Sequence, residues 1–373
     1  MLLVDIYRYL ILFIVGIWTY QLCQQYRARK FNSKSVNAAS PQFGIIVLAI
    51  FLTLLIGLRP MDDRMSWMWV DSYNYKLMYN TSVGNPFVFN SLAENLIWDN
   101  LFNFWTSNDL GLTSLFLLSD AFYFGCTYLA CRKWFPHDTA IAYLAFLGAF
   151  STYSYSFNGI KAGVASALFL LALANYNKKA VSITLVVFSL GVHHSMILPV
   201  AAYIITLFVK NPKWYFYGWV FCVLMATLHV SFFANLFSGF TSDEKTAQYL
   251  TGTGDDSYIT GFRPDFLLYS FAPILVGYIV FLRNRILVSN LYRILLCMYL
   301  CTNGVWCLCM YSGSTNRIAY LSWFMYPFVL IYPFLKENLT GLRLLGTKNQ
   351  YAMLSMVVMY HYLFTFFMEV IYY

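Results

Sequence analysis

The residues best suited to chemistry in this chain are polar side chains set within otherwise apolar sequence. The stretch 156–200 holds Asn158, Lys161, His193 and His194. A charged side chain at bilayer depth costs on the order of 2.5–3.5 kcal/mol on insertion scales, so its presence there favours a functional role. A lysine would bind an anion such as a phosphate, and a neutral imidazole near pH 7 would take a proton from a hydroxyl.

The composition is that of an integral membrane protein. Of 373 residues, 60% are hydrophobic and 11% charged, and the mean hydropathy is +0.59, whereas soluble domains carry about 25% charged residues. The formal charge of +8 lies mostly in short loops between apolar runs, which indicates membrane topology rather than a nucleic-acid partner. The eight cysteines form no CxxC pair and indicate apolar packing rather than disulfides or a metal site.

The hydrophobic runs predict an all-α polytopic membrane protein with one transmembrane domain over residues 1–373. A bilayer core of about 30 Å needs roughly 20 apolar residues in a helix. About ten crossing helices are therefore predicted, at 6–25, 42–58, 111–130, 139–157, 159–176, 214–236, 266–282, 288–311, 317–335 and 350–370. A further apolar region, 180–209, is interrupted at 191–195 and by Pro199.

The basic residues orient these helices by the positive-inside rule. The first loop is cytoplasmic because it contains Arg27, Arg29, Lys30 and Lys34. A single crossing by 180–209 would leave seven later basic residues outside, whereas a region that enters and returns puts them inside: Lys210, Lys213, Arg283, Arg285, Lys336, Arg343 and Lys348. We therefore predict a re-entrant, broken helix pair with the histidines near its tip, buried in protein or lining a wet cavity.

This orientation gathers five polar residues on the extracytoplasmic side: Arg59, Asp71, Asn158, Lys161 and Arg317. The same side carries two long loops, about 59–110 and 237–265. In the first, Ser91–Glu94 has the pattern of a capping box that would open an amphipathic helix. Long loops of this kind are often lids or binding elements.

Three cations are candidate phosphate ligands. Asn158, Lys161 and Ala165 fall at i, i+3 and i+7 on one helical face, and the dipole of a helix that begins there adds to the pull on an anion. Arg59 and Arg317 could hold phosphate oxygens with a bidentate fork. The alternatives are a lysine that extends to the membrane interface and arginines that serve as membrane-edge anchors.

The sequence His193-His194-Ser195 would break a helix inside apolar sequence. An imidazole there is a candidate general base. The alternative is a histidine hydrogen-bonded to a carbonyl that the break frees. No metal is expected, because adjacent histidines do not converge easily on one ion. Asp71 would pair with an arginine or a sugar hydroxyl, with a plain surface carboxylate as the alternative.

Other motifs of known chemistry are missing from the sequence. It contains no P-loop, GxGxxG, GxSxG or DxD pattern, which argues against ATP hydrolysis and against a nucleotide-sugar donor held through a metal. No cofactor is predicted. His229 and His361 lie in separate apolar runs and are expected to be satisfied core residues.

Five short motifs follow one another along the chain. They are Gly57-Leu58-Arg59, Asp71-Ser72-Tyr73-Asn74-Tyr75, Asn158-x-Ile160-Lys161-x-x-x-Ala165, His193-x-Ser195-Met196-Ile197 and Arg317-Ile318-Ala319-Tyr320. Together they resemble the EpsG-type branch of the Wzy-like polysaccharide polymerases. In that family the basic residue of the Asn motif is usually arginine followed by glutamine. Here Lys161 and Ala162 keep the cation without the guanidinium fork.

The resemblance implies a glycosyltransferase of GT-C-like architecture. It would join oligosaccharide repeat units carried on undecaprenyl diphosphate, as both donor and acceptor, into a capsule, exopolysaccharide or O-antigen. It would do so at the outer face of the bacterial cytoplasmic (inner) membrane. A chain-length regulator is a further candidate partner.

The resemblance also implies roles for particular residues. The diphosphate would be bound by Arg59, Lys161 and Arg317. The acceptor hydroxyl would be deprotonated by His193 or His194, while Asp71 orients an arginine or the sugar. The supporting residues would be Asn158, Ser195, Tyr75 and Tyr320.

Three other functions share these sequence features. A flippase or transporter of a lipid-linked glycan also needs cations and broken helices, but it should show an internal repeat and polar residues through the midplane. A membrane O-acyltransferase also places a histidine in apolar sequence, but cations on the outer face favour a diphosphate over a thioester. A ligase that moves finished glycan to another carrier would need the same site.

Overall fold

The structure is a computed structural model that describes residues 3–28, 39–61, 69–229, 261–312, 315–339, 342 and 346–372. These residues form helices joined by turns and short connections, which confirms the all-α prediction. The helices are α1 (Leu3–Ala28), α2 (Ala39–Gly57), α3 (Val70–Ser82), α4 (Leu96–Ser107), α5 (Leu112–Trp134), α6 (Thr139–Leu147), α7 (Phe150–Phe157), α8 (Ile160–Ala174), α9 (Lys179–Val192), α10 (Ile197–Phe208), α11 (Pro212–Thr227), α12 (Pro264–Tyr278), α13 (Asn290–Leu308), α14 (Thr315–Trp323), α15 (Tyr326–Lys336) and α16 (Gln350–Phe366).

The helices group into two compact units. The first comprises residues 1–197 and 343–373, and the second comprises residues 198–342. In the first unit, α5 packs between α2 and α8, α8 packs along α9, and α1 packs along α16. In the second unit, α13 packs against α11 and α14.

Several helices are long and apolar enough to cross a membrane. Among the described residues there are five: Leu112–Trp134, Pro264–Arg283, Asn290–Leu308, Thr315–Lys336 and Gln350–Val370. Shorter apolar helices cover 42–57, 160–174, 179–192 and 194–208. The chain is therefore an integral membrane protein, while ten crossings and a GT-C-like architecture stay predictions.

The predicted break in the region 180–209 is confirmed. Helix α9 ends at Val192, His193 has extended backbone angles (φ −149°, ψ 117°), and a 3-10 turn, His194–Met196, leads into α10. The return of this region to the same side of the membrane stays a prediction.

The prediction of one continuous helix over 139–157 is wrong, because the chain breaks between α6 and α7 at Gly148. The break leaves helix carbonyls without their usual partners, and side chains take them over. Thr152 Oγ1 donates to the Phe146 carbonyl (2.6 Å) and Tyr153 OH to the Leu147 carbonyl (2.6 Å). Such replacement is what a water-free environment requires of broken helices.

His361 belongs to the same break. Its Nε2 donates to the carbonyl of Ala145 at 3.0 Å, and its side chain is fully buried. The prediction of a core position is confirmed for His361 and wrong for His229, which lies exposed just beyond the end of α11. The ring of His229 stacks on Tyr311 with a centroid distance of 3.8 Å.

The first long loop contains two helices, α3 and α4. The predicted capping box at Ser91–Glu94 is wrong, since α4 begins at Leu96. The reason is a local pairing: Asn100 Oδ1 accepts from Asn90 N–H (2.7 Å) and Asn100 Nδ2 donates to the Asn90 carbonyl (2.9 Å). This pairing holds the residues between Asn90 and the start of α4 in turns. In the second long loop, residues 230–260 lie outside the described residues.

The second unit is organised around a buried polar network. Asn303 Oδ1 accepts from Trp219 Nε1 (2.9 Å), and Asn303 Nδ2 donates to Ser270 Oγ (3.0 Å) and Ser322 Oγ (3.1 Å). Trp323 Nε1 also donates to Ser270 Oγ (2.8 Å). The network joins α11, α12, α13 and α14, and satisfied polar groups of this kind fix how apolar helices pack.

A glycine sets the distance between α2 and α5. A Cβ atom on Gly57 would lie 2.8 Å from the Leu117 Cα atom, so only glycine permits this approach. We expect Gly57→Ala to lower the free energy of unfolding by about 1–3 kcal/mol, since overpacking forces the backbones apart. The thermal midpoint of the purified full chain in detergent measures the effect. Gly125→Ala is the matched control, because its Cβ meets nothing within 4 Å. Equal midpoints for the two variants would contradict the role of Gly57.

Candidate functional site

Arg59 lies in a buried polar cluster at the end of α2. The residue is 2% exposed. Its guanidinium donates to the Ile56 carbonyl (2.8 Å), to Asp120 Oδ2 (3.3 Å) and to Ser72 Oγ (2.9 Å). Its Cζ also lies 4.2 Å from the centre of the Phe116 ring. A buried cation paired in this way presents no exposed N–H to a ligand.

Ser72 extends this cluster to the break between α7 and α8. Its hydroxyl accepts from Arg59 and donates to the carbonyl of Phe157. Beside it, the Trp69 ring stacks on Phe157 with a centroid distance of 5.1 Å and an interplanar angle of 5°. The hydrogen bonds and the stacking together hold the start of α3 against the residues that precede Asn158. Two of the short motifs in the sequence therefore meet here, next to the start of the third.

Asp120 is a residue of this cluster that the sequence reasoning missed. It lies in α5, is 2% exposed and forms an ion pair with Arg59. The sequence did contain a signal for Asp120. It is a charged residue inside the apolar run 112–134, which is the same feature that singled out Lys161. A buried charge of this kind is stable only when it is paired.

Lys161 lies at the second residue of α8, and Asn158 lies just before that helix. Helix α8 begins at Ile160 after Gly159, so the prediction that Asn158 shares a helical face with Lys161 is wrong. Lys161 is half-buried, and among the residues that the structure describes it makes no hydrogen bond or ion pair. The first turn of α8 contains no acidic residue. A cation beside the positive end of a helix dipole favours an anion at that position.

The packing of α8 on α9 brings Lys161 and the histidine pair to the same end of a helical hairpin. Ser189 Oγ donates to the Ala165 carbonyl at 2.7 Å, which sets the register of the two helices. A short turn joins the helices, so they run antiparallel. Lys161 stands four residues before Ala165, and His193 stands four residues after Ser189. The two therefore lie at the same height along the hairpin.

The start of α4 holds the turn that contains the histidines. Asn95 is the N-cap of α4, yet its side chain caps no helix N–H. Asn95 Oδ1 instead accepts from the backbone N–H of His194 (3.1 Å). Nearby, a Cβ on Gly191 would lie 2.6 Å from Ile97 Cδ1, so α4 and α9 are in close contact. The first long loop thus contacts the turn that holds the two histidines.

In their neutral forms, the two imidazoles take opposite tautomers, as their hydrogen bonds require. His193 Nδ1 accepts from the N–H of Ser195 (3.2 Å), so its proton is on Nε2. His194 Nδ1 lies 3.2 Å from Asn95 Oδ1 and 3.3 Å from Glu94 Oε1. Both of those oxygens are acceptors, so Nδ1 of His194 carries the proton and Nε2 keeps its lone pair. His194 therefore has the tautomer of a general base.

Asp71 and Tyr75 lie one helical turn apart near the start of α3. Asp71 is half-buried and falls in the first turn of the helix, where a carboxylate complements the dipole. The Tyr75 ring packs against Trp98 (5.9 Å) and Phe102 (5.8 Å). Burial raises the pKa of Tyr75, and the negative charge of Asp71 raises it further by a smaller amount. Tyr75 thus contributes packing between α3 and α4.

Arg317 and Tyr320 belong to the second unit. Arg317 lies exposed in the first turn of α14, and its backbone N–H donates to Asn316 Oδ1 (3.0 Å). Tyr320 is 7% exposed and packs on Trp323 with a centroid distance of 5.4 Å. Arg317 is thus a surface cation on a helix that Tyr320 anchors.

The comparison with protein families identifies the chain. The profile of the EpsG family matches residues 43–373, nearly the whole length. The chain belongs to the EpsG family. EpsG is a Wzy-like polysaccharide polymerase family, which supports an enzyme of the glycosyltransferase type. No curated protein and no solved structure matches the chain. In the described part of the chain, no group of three His, Cys, Asp or Glu residues could hold a metal ion.

The Arg59–Asp120 pair gives a testable energetic prediction. We expect Asp120→Asn to destabilise the protein by about 3–5 kcal/mol, because it leaves the guanidinium buried without its counter-charge. The double variant Arg59→Met/Asp120→Leu should recover much of that loss, since it removes both charges. Thermal midpoints in detergent test this with Asp120→Asn, with the matched single variants Arg59→Met and Asp120→Leu, and with the double variant. Strictly additive losses would show that the two residues do not interact.

Proposed function

We propose that this protein polymerises oligosaccharide repeat units carried on undecaprenyl diphosphate. The growing glycan on its lipid diphosphate is the donor, and the sugar hydroxyl of another lipid-linked unit is the acceptor. The reaction takes place at the outer face of the bacterial cytoplasmic membrane, and the product is a surface polysaccharide. The proposal rests on membership of the EpsG family and on the arrangement of residues at one end of the α8–α9 hairpin.

The observation that carries the proposal is the register of α8 and α9. It brings Lys161, a cation that forms no ion pair with any residue the structure describes, to the same height as a histidine pair whose backbone leaves the helix. Transfer of a glycosyl group from a diphosphate needs both kinds of group. A cation must stabilise the charge that builds on the departing diphosphate, and a base must take the proton of the attacking hydroxyl.

In the mechanism that we propose, His194 is the base. The acceptor oxygen attacks the anomeric carbon of the donor while its proton moves to Nε2 of His194. The bond between the anomeric carbon and the diphosphate oxygen breaks, and undecaprenyl diphosphate leaves with the electron pair. Glu94 and Asn95 hold the Nδ1–H side of the ring and stabilise the imidazolium cation that forms. His193 is a hydrogen-bond donor through Nε2 in this scheme.

The cations take different parts in the proposal. Lys161 binds the diphosphate, because it lies at a helix start and is not deeply buried. Arg317, exposed at the start of α14 in the second unit, remains the diphosphate ligand that the sequence predicts. Arg59 acts through Ser72, which fixes the Phe157 carbonyl and thereby the backbone just before Asn158. Asp71 orients a sugar or an arginine at the start of α3.

Reconstitution tests the polymerase directly. The full chain in liposomes, given a synthetic undecaprenyl-diphosphate repeat unit, should produce a ladder of longer glycans. Lys161→Gln should reduce turnover by about 10²–10³-fold, because it removes a charge that stabilises the leaving group. Lys161→Arg should retain activity, and Arg317→Ala should abolish polymerisation at normal expression. Lys178→Gln is the matched control, because Lys178 lies exposed in the turn that joins α8 and α9, at the opposite end of the hairpin from Lys161. A full ladder from Lys161→Gln would remove Lys161 from the site.

A pair of asparagine variants tests the assignment of the base. His194→Asn should reduce turnover by about 10²–10⁴-fold, the usual contribution of a general base. His193→Asn should keep most activity, because the asparagine oxygen can still accept from the N–H of Ser195. Initial rates in the same liposomes provide the measurement. The reverse order of activities would assign the base to His193.

A further inference from the structure

An open apolar groove lies in the second unit between α10, α11 and α13. Its volume is about 330 Å³, and its walls include Ile205, Val209, Trp214, Tyr215, Trp219 and Leu300. Gly218 on α11 leaves space in the groove, since a Cβ added to this residue would meet nothing within 4 Å. A groove of this kind on membrane helices accommodates a hydrocarbon chain rather than a polar ligand.

The groove ends at a basic turn between α10 and α11. Lys210 and Lys213 are exposed there, and among the described residues neither side chain makes an ion pair. Arg293 of α13 donates to the carbonyls of Thr206 (3.2 Å) and Lys210 (3.5 Å), so it fixes the end of α10 beside the groove. Two neighbouring cations at the mouth of an apolar groove are complementary to a molecule with an anionic head and an apolar tail.

The aromatic residue at the mouth fits a position in the headgroup region. Trp214 directly follows Lys213 and is 64% exposed. Its ring packs edge-on against Tyr217, with a centroid distance of 6.2 Å. Exposed tryptophan and tyrosine beside lysine are typical of the membrane–water interface. The groove therefore runs from that interface towards the bilayer interior.

We propose that this groove binds an anionic diacyl phospholipid, with one acyl chain along α11 and the phosphate at Lys210 and Lys213. The positive-inside prediction puts these lysines on the cytoplasmic side, where the leaflet is rich in anionic lipid. The groove lies wholly within the second unit, and its proposed ligand does not depend on the proposed polymerase activity. The bound lipid would fix the α10–α11 turn within the second unit.

Native mass spectrometry of the full chain, released from a neutral detergent, tests the proposal. Titration with dioleoyl phosphatidylglycerol should give one tightly retained lipid per chain, and dioleoyl phosphatidylcholine should bind about tenfold more weakly. The variant Lys210→Gln/Lys213→Gln should lose this tenfold preference. Gly218→Leu should lose binding of both lipids, because its side chain fills the groove.

Matched controls separate the groove from general effects of charge and side-chain size. Lys178→Gln/Lys179→Gln removes two exposed lysines from another turn and should leave the retained lipid unchanged. Gly125→Leu adds the same side chain at another open position on an apolar helix and should also leave it unchanged. Equal losses in the controls, equal binding of the two lipids, displacement by inorganic phosphate, or stronger binding of a polyprenyl phosphate would each overturn the proposal.

Discussion

The ion pair between Arg59 and Asp120 is the interaction on which the first unit depends. Neither group is accessible to water, so each charge is tolerable only in the presence of the other. The guanidinium also binds Ser72, which in turn binds the carbonyl of Phe157. One buried charge thereby fixes the end of α2, the start of α3 and the end of α7 against α5. The backbone that leads into α8 is held by this cluster rather than by helix continuity.

The helix breaks follow from the same requirement for internal hydrogen bonding. Where α6 stops, Thr152, Tyr153 and His361 bind the carbonyls that the helix leaves behind. Where α9 stops, the side chain of Asn95 takes the N–H of His194. Irregular backbone is stable in an apolar environment only when each freed group finds such a partner. His361 and Asn95 come from elements distant in the sequence, so each break also joins separate helices.

The chemistry that we propose uses this irregular backbone. A continuous α9 would pair the His194 N–H within the helix and turn the two imidazoles to different faces. The break instead lets Asn95 and Glu94 select one tautomer, and Ser195 selects the other. Lys161 is a compact cation with three donors. Beside the first turn of α8, where backbone N–H groups also point outward, a lysine can share an anion with the helix.

The outline of the molecule follows from local properties of the sequence. Hydrophobic run lengths predict the helices and the membrane, and Gly191–Ser195 predicts the break before α10. Polar residues in apolar sequence identify Lys161 and the histidines. What the sequence leaves open is the partner of each polar group. Asp120 opposite Arg59, and Asn95 beside His194, depend on which helices pack together and in what register. Hydrophobicity and charge are carried by each residue alone, whereas a hydrogen bond between residues 99 positions apart exists only once the tertiary structure brings them into contact.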